Sequence, residues 1–164
     1  MIKLEQAKAT AWTIVNELEP YCNKIQIAGS IRRQRPFVHD IDIVLIPNEA
    51  LKFPAILRRL GKITGGPKIY QLQIRGMVAD IYVARPETWA TLLLIRTGSK
   101  EHNIKLCQLA IQKGMKMHAD GSGLKKVGEE PTLFNPSAPG SEALVCDCEA
   151  DIFKLLDLAY VIPE

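Results

Sequence analysis

The chain has 164 residues, enough for one compact unit of ordinary domain size with at most two lobes. Hydrophobic residues make up 47% and charged residues 24%, which excludes a disordered chain and supplies a packed core. The net charge of +3 is unevenly spread: residues 1–85 carry 13 Lys/Arg against 7 Asp/Glu, residues 86–164 carry 8 against 11, and a basic first half invites a phosphate or nucleic-acid partner.

The start, Met1-Ile2-Lys3-Leu4-Glu5-Gln6, puts charges where a secretion signal needs an apolar stretch. No apolar run approaches the roughly 20 residues of a spanning helix, so a cytoplasmic protein without a membrane partner is expected. Residues 3–19 read as an amphipathic helix, with Leu4, Ala7, Ala11, Ile14, Val15 and Leu18 near a 3.6-residue period and Pro20 as its stop. Residues 24–28 alternate like a strand and end at Gly29-Ser30. A second strand covers 41–46, closed by Pro47-Asn48, and 50–60 read as helical. Gly65-Gly66-Pro67 is a turn into a strand at 69–74, and Gly76 separates it from another at 78–83, predicting a hairpin. Pro86 opens a helix to about Arg96. Thr97-Gly98 breaks it, and Ser99 caps a helix to Lys113. Beyond Gly114 come short strands and Gly/Pro-rich turns, then a last helix at 149–158. The four cysteines form no disulfide framework and Cys146-Asp147-Cys148 is not a C-x-x-C, so reduced thiols are expected. Trp12 and Trp89 are expected as packing residues, His39 and His118 as loop or turn residues.

The chemistry concentrates in Gly29-Ser30-Ile31-Arg32-Arg33, in Asp40-Ile41-Asp42 and in Asp80. Residues two apart on a strand share a face, so Asp40 and Asp42 are expected to project together while Ile41 and Ile43 enter the core. Carboxylates so placed repel one another and call for a counter-charge. A hard cation, Mg²⁺, supplies it through carboxylate, water and substrate phosphate oxygens. Asp80, between Ala79 and Ile81, is a third acid in apolar company. Gly29-Ser30 follows a strand and opens a helical turn, where glycine allows close backbone approach and leading amides face an anion. Ser30 adds a hydroxyl, and Arg33 a two-pronged cation suited to phosphate. A phosphate cradle shortly before a metal-binding strand is what a nucleoside triphosphate with Mg²⁺ requires.

With these motifs in place, the sequence resembles the family X DNA polymerases of the nucleotidyltransferase superfamily. The pattern is Gly-Ser, two arginines, D-x-D and a later Asp, followed by Thr97-Gly98-Ser99-Lys100-Glu101-His102-Asn103, Glu149 to Leu156, and the tail Tyr160-Val161-Ile162-Pro163-Glu164. The resemblance implies an α+β protein: a nucleotidyltransferase palm (a mixed sheet with flanking helices) over 1–95, and a small α/β thumb over 96–164. Nothing in these residues matches the family's lyase or helix-hairpin-helix segments, so a minimal palm-plus-thumb form is expected. It further implies two Mg²⁺ ions, with Mn²⁺ as a substitute, on Asp40, Asp42 and Asp80, and nucleotide phosphates on Gly29, Ser30 and Arg33. By the same resemblance Gly98 and Ser99 line the sugar, Asn103 approaches the base, Arg32 is a palm–thumb ion-pair partner, and His102 meets base or triphosphate. Ile95-Arg96 stands where the family commonly has Tyr-Phe, so Arg96 enters the sugar pocket or meets a phosphate. The partners implied are a nucleoside triphosphate and a DNA primer or primer-template, acted on by a monomer. Gap-filling DNA synthesis with release of pyrophosphate is the expected reaction, and the alternative is a template-independent nucleotidyltransferase that tails a 3′ end or modifies a non-DNA acceptor. Basic residues expected to meet DNA phosphates are Lys52, Arg58, Arg59, Lys62 and Lys68, and later Lys105, Lys113, Lys116, Lys125 and Lys126.

Overall fold

The computed structural model describes residues 1–127 and 143–163. Of the short strands and Gly/Pro-rich turns expected beyond Gly114, residues 128–142 lie outside the described residues, as does the final Glu164 of the tail. No helix among the described residues is long and apolar enough to cross a membrane.

The chain opens with β1 (Ile2–Lys3) and α1 (Leu4–Leu18), whose 3.6-residue apolar period buries Ala7, Ala11, Ile14, Val15 and Leu18 along one face. Then follow β2 (Cys22–Ile27), the single turn α2 (Gly29–Arg32), β3 (Phe37–Val38), β4 (Ile41–Pro47), α3 (Phe53–Leu60), β5 (Lys62–Gly65), β6 (Ile69–Ile74) and β7 (Met77–Val83). Five strands form one mixed sheet in the order β2-β4-β7-β6-β5. Only β4 and β7 run parallel, and these central strands are the most apolar in sequence, as expected for strands covered on both faces. The expected hairpin is β6–β7: Ile74 pairs with Met77 across Arg75-Gly76, whose φ values of 51° and 73° are those of a tight turn matched to strand twist. β1 and β3 pair as a separate two-stranded ribbon, too short to be legible as strands in sequence.

One face of the sheet is the core. Ile41, Ile43 and Leu45 of β4, Ala79 and Ile81 of β7, and Tyr70 and Leu72 of β6 are buried there with α1 and with Phe53 and Leu57 of α3. Strand alternation therefore sends Asp42 and Asp80 to the other face.

The second unit contains α4 (Trp89–Thr97), α5 (Lys100–Gln112), the β8 (Met115–Met117) and β9 (Leu124–Lys126) pair, and α6 (Glu149–Leu155). Its own core gathers Ala90, Leu94 and Ile95 of α4, Leu106 and Ala110 of α5, Met115, Met117 and Leu124 of the strands, and Ile152, Phe153 and Leu156. The compact units divide between Arg85 and Pro86, ahead of the 95/96 boundary read from sequence, because α4 spends its apolar side chains on this second core.

Trp89 is buried as expected, but Trp12 is 56% exposed. It lies off the α1 stripe that faces the sheet, so the packing role expected for it is corrected. His118 begins the β8–β9 turn, accepting from the Gly121 amide at 2.9 Å, as its sequence context suggested. All four cysteines are free thiols. Burial pushes those of Cys22 and Cys146 up to about 11 and raises Cys107 as well, which keeps them protonated and inert at neutral pH.

Candidate catalytic site

Two of the three acids meet by strand register. Asp42 of β4 and Asp80 of β7 are direct partners in the parallel pair, so their side chains leave the same face side by side. Both are half-buried. Asp80 Oδ1 is buried with no hydrogen-bond partner, whereas Asp42 Oδ1 accepts from the Tyr82 hydroxyl at 3.3 Å. Tyr82, given no role in the sequence reading, is 8% exposed and lies two residues beyond Asp80 on the same face. Its contact is to the neighbouring strand, which the sequence of β7 alone does not signal.

Asp40 differs from expectation. β4 begins at Ile41, so Asp40 sits on the preceding bend, half-buried, where strand alternation does not fix its direction. Among the described residues no three His, Cys, Asp or Glu side chains are drawn together tightly enough to hold a metal ion. The Asp42–Asp80 pair is nonetheless an all-oxygen donor set of the kind Mg²⁺ uses, since that ion takes one or two carboxylates and completes its shell with phosphates and water. A buried carboxylate oxygen lacking a donor is costly as it stands, and a hard cation satisfies it.

Gly29 fits tightly against this pair. Its φ is +60°, and a Cβ built there would lie 1.8 Å from Asp42 Oδ2 and 2.9 Å from Asp42 Cβ, so only glycine lets α2 start this close. The Ala28 amide donates to the Asp42 carbonyl at 2.8 Å and fixes α2 to β4. The turn is closed by the Arg32 and Arg33 amides on the carbonyls of Ala28 and Gly29, leaving the Ser30 and Ile31 amides at its leading end. Ser30, Arg32 and Arg33 are half-buried beside it. Gly29 is thus set against Asp42 by the succession β2-α2-β4, and Asp80 joins them through its register with Asp42 on β7.

The second unit carries the remaining candidates. The Gly98–Ser99 peptide is cis, with Gly98 at φ +74°. Ser99 caps α5 as expected, its Oγ accepting from the His102 amide at 3.4 Å. Asn103 donates through Nδ2 to the Ile95 carbonyl at 2.8 Å, which ties α5 to α4, and its Oδ1 is buried without a hydrogen-bond partner. Ile95 is buried in the second core while Arg96 is half-buried, so of that pair Arg96 alone retains a surface. His102 packs edge-on to Phe153 at 5.9 Å between centroids. Its burial, followed by the charge of Lys105, holds the imidazole below its usual value against the opposite pull of Glu149.

The cations expected along the surface are unequal. Lys52 pairs with Glu49 at 2.6 Å and Lys113 with Asp157 at 2.5 Å. Arg58 and Arg59 are exposed on α3, which packs on the core face, so they lie behind the sheet rather than on the side of the acids. Lys62, partner of Gln73, and Lys24, partner of Ile46, project on the acid-bearing face.

Similarity to known proteins runs along the whole chain in different strengths. Residues 92–164 match the family model of the DNA polymerase beta thumb. The DNA polymerase/3′-5′ exonuclease PolX of Bacillus subtilis (strain 168) is 28% identical over 141 residues, covering 75% of this chain and 24% of that protein. This chain thus spans about a quarter of that relative's length. Among solved structures, Leishmania infantum polymerase beta superposes in its ternary gap complex with a TM-score of 0.78 at 22% identity, covering 99% of this chain and 69% of that one. In its ternary P/T complex the TM-score is 0.75 at 23% identity, with 99% and 75% covered. At such identities the structural likeness establishes a shared α+β fold.

Proposed function

We propose that this relative of the family X DNA polymerases is a nucleotidyltransferase that adds nucleotides to a DNA 3′-hydroxyl and releases pyrophosphate, in the manner of a gap-filling polymerase. The observation that carries the reading is the register pairing of Asp42 with Asp80, with Gly29 closed against the Asp42 carboxylate. We assign the first unit as palm and the second as thumb.

In this reading Asp42 and Asp80, with Asp40 joining them from the bend before β4, would hold two divalent cations, Mg²⁺ or in its place Mn²⁺. When bound, such a pair supplies Lewis-acid stabilisation of the attacking and leaving oxygens of an in-line displacement. Asp80 would also stand beside the 3′-hydroxyl and help to accept its proton. Ser30 Oγ, the leading amides of α2 and the Arg33 guanidinium orient the β and γ phosphates and offset the charge that builds on the leaving pyrophosphate. In the second unit, Gly98 and Ser99 are assigned to the sugar and Asn103 to the base, Arg32 and Arg96 to neighbouring charge contacts.

The test is incorporation on gapped, nicked and single-stranded primers with deoxy- and ribonucleotides, in Mg²⁺ and in Mn²⁺. Template-directed addition, favoured on gaps, is the expected result; equal addition of all four nucleotides to single-stranded ends would overturn it. Asp80→Ala should lower incorporation more than about a hundredfold, since even neighbours of metal ligands cost 10–100-fold. Its circular dichroism should match wild type, and undiminished incorporation would remove Asp80 from the reaction.

A further inference from the structure

We propose that Tyr82 is a positioning residue for Asp42, holding the carboxylate in the orientation a divalent cation requires; the inference rests on the metal-binding reading of the site given above. The carboxylate of Asp42 is gripped from two sides. On one side Oδ2 lies where a Cβ at position 29 would be, so the α2 backbone limits its rotation. On the other, Oδ1 accepts the Tyr82 hydroxyl at 3.3 Å. Tyr82 itself is fixed by register, its Cα level with Val44 of β4 and Ile69 of β6, and its ring is buried. From that anchor the hydroxyl reaches back two residues along the parallel neighbour to Asp42.

The two acids are thereby divided in their tasks. Asp42 is oriented by protein contacts, whereas Asp80 Oδ1 lacks a hydrogen-bond partner and is left for the incoming ligand. The chemical type of the orienting group matters. A phenol donates one neutral hydrogen bond and leaves the carboxylate its full negative charge. A lysine or arginine there would compete with the cation for the same charge. Groups that hydrogen-bond a metal ligand from behind commonly set affinity within a factor of 10–100.

The experiment is a titration of Mn²⁺ alone into the full chain, followed by the electron paramagnetic resonance signal of the free ion. It is run on wild type, Tyr82→Phe and Asp42→Asn. Tyr82→Phe keeps the ring and its packing, so the melting temperature is expected to stay within a few degrees while Mn²⁺ affinity falls about tenfold. In turnover the same variant should need correspondingly more Mg²⁺ to reach half its maximal rate. A wild-type chain titrated with Mg²⁺ should also show a difference band in tyrosine absorption that Tyr82→Phe lacks; this readout on the wild type holds even if the variant folds poorly. Unaltered Mn²⁺ affinity in Tyr82→Phe, with Asp42→Asn impaired, overturns the role of Tyr82 and leaves the site standing. Wild-type affinity in Asp42→Asn instead overturns the metal reading, and the role of Tyr82 with it. An absent tyrosine difference band on wild type counts against the coupling directly.

Discussion

Where Gly29 meets Asp42, backbone occupies the space that any side chain would need. The left-handed φ of +60° costs a non-glycine residue about 1–2 kcal/mol, and the collision with the carboxylate comes on top of that. The carboxylate can yield only by rotating, which breaks its contact with Tyr82 and its alignment with Asp80. Gly29→Ala should therefore abolish nucleotide incorporation with a modest fall in melting temperature, and a variant retaining wild-type turnover would show that the close approach is dispensable. At this scale the sequence was informative wherever chemistry has one cheap explanation. A Gly-Ser pair after a strand and acids flanked by Ile and Ala are conspicuous because their neighbours are apolar. Tyr82 was not legible, because a tyrosine in a strand is ordinary and its importance lies in a contact to the adjacent strand. Trp12 misled for the opposite reason, since size and apolarity suggest burial while its angular position on α1 decides it.

Elements were legible to the extent that their period was long enough to count. α1, β4, β6 and β7 lie within a residue or two of where apolar spacing put them, whereas β5 and the β1–β3 ribbon are too short to show an alternation. Asp40 is the site residue most affected: one position decides whether it stands in the strand or on the bend before it. The end of the chain shows how a local charge fixes an element. The Asp151 carboxylate accepts from the amides of Asp147 and Cys148, each at 3.0 Å, and from Cys148 Sγ at 3.4 Å. That closes the start of α6, which carries Ile152, Phe153 and Leu156 into the second core. The Cys148 amide foremost and then the Cys148 thiol draw its carboxyl below the ordinary range against the opposing effect of burial, with the Asp147 amide and Lys154 adding less. Because the folded value lies below the unfolded one, its stabilising effect is complete above the ordinary carboxylate value of about 3.9 and is lost as pH falls through the lower folded value. Asp151→Asn should thus melt lower than wild type at pH 6, with the gap narrowing as the buffer is taken from pH 5 to pH 3. A gap independent of pH would show that charge has no part in the cap.

For the molecule as a whole, the unit that bears the acids is itself net basic, with 13 Lys/Arg against 7 Asp/Glu over residues 1–85. Sheet topology then sorts cations that composition alone had grouped together. The pairing order β2-β4-β7-β6-β5 was not legible in sequence, because a hydrophobic run does not name its partner strand, and it is this order that assigns a face to each side chain. Lys62 and Lys24 share the face of Asp42 and Asp80, while Arg58 and Arg59 sit on a helix covering the opposite one. A DNA strand whose 3′ end reaches Asp80 can meet the first pair and not the second. Binding to a gapped duplex should weaken steeply with salt, by roughly 150-fold between 50 and 200 mM if about four phosphates are neutralised. Lys62→Ala should lower the slope of log affinity against log salt by about 0.9, whereas the double variant Arg58→Ala, Arg59→Ala should leave it unchanged. Fluorescence anisotropy across a salt series measures both, and a slope reduced by the arginine pair but not by Lys62 would mean that DNA runs behind the sheet, away from the acids.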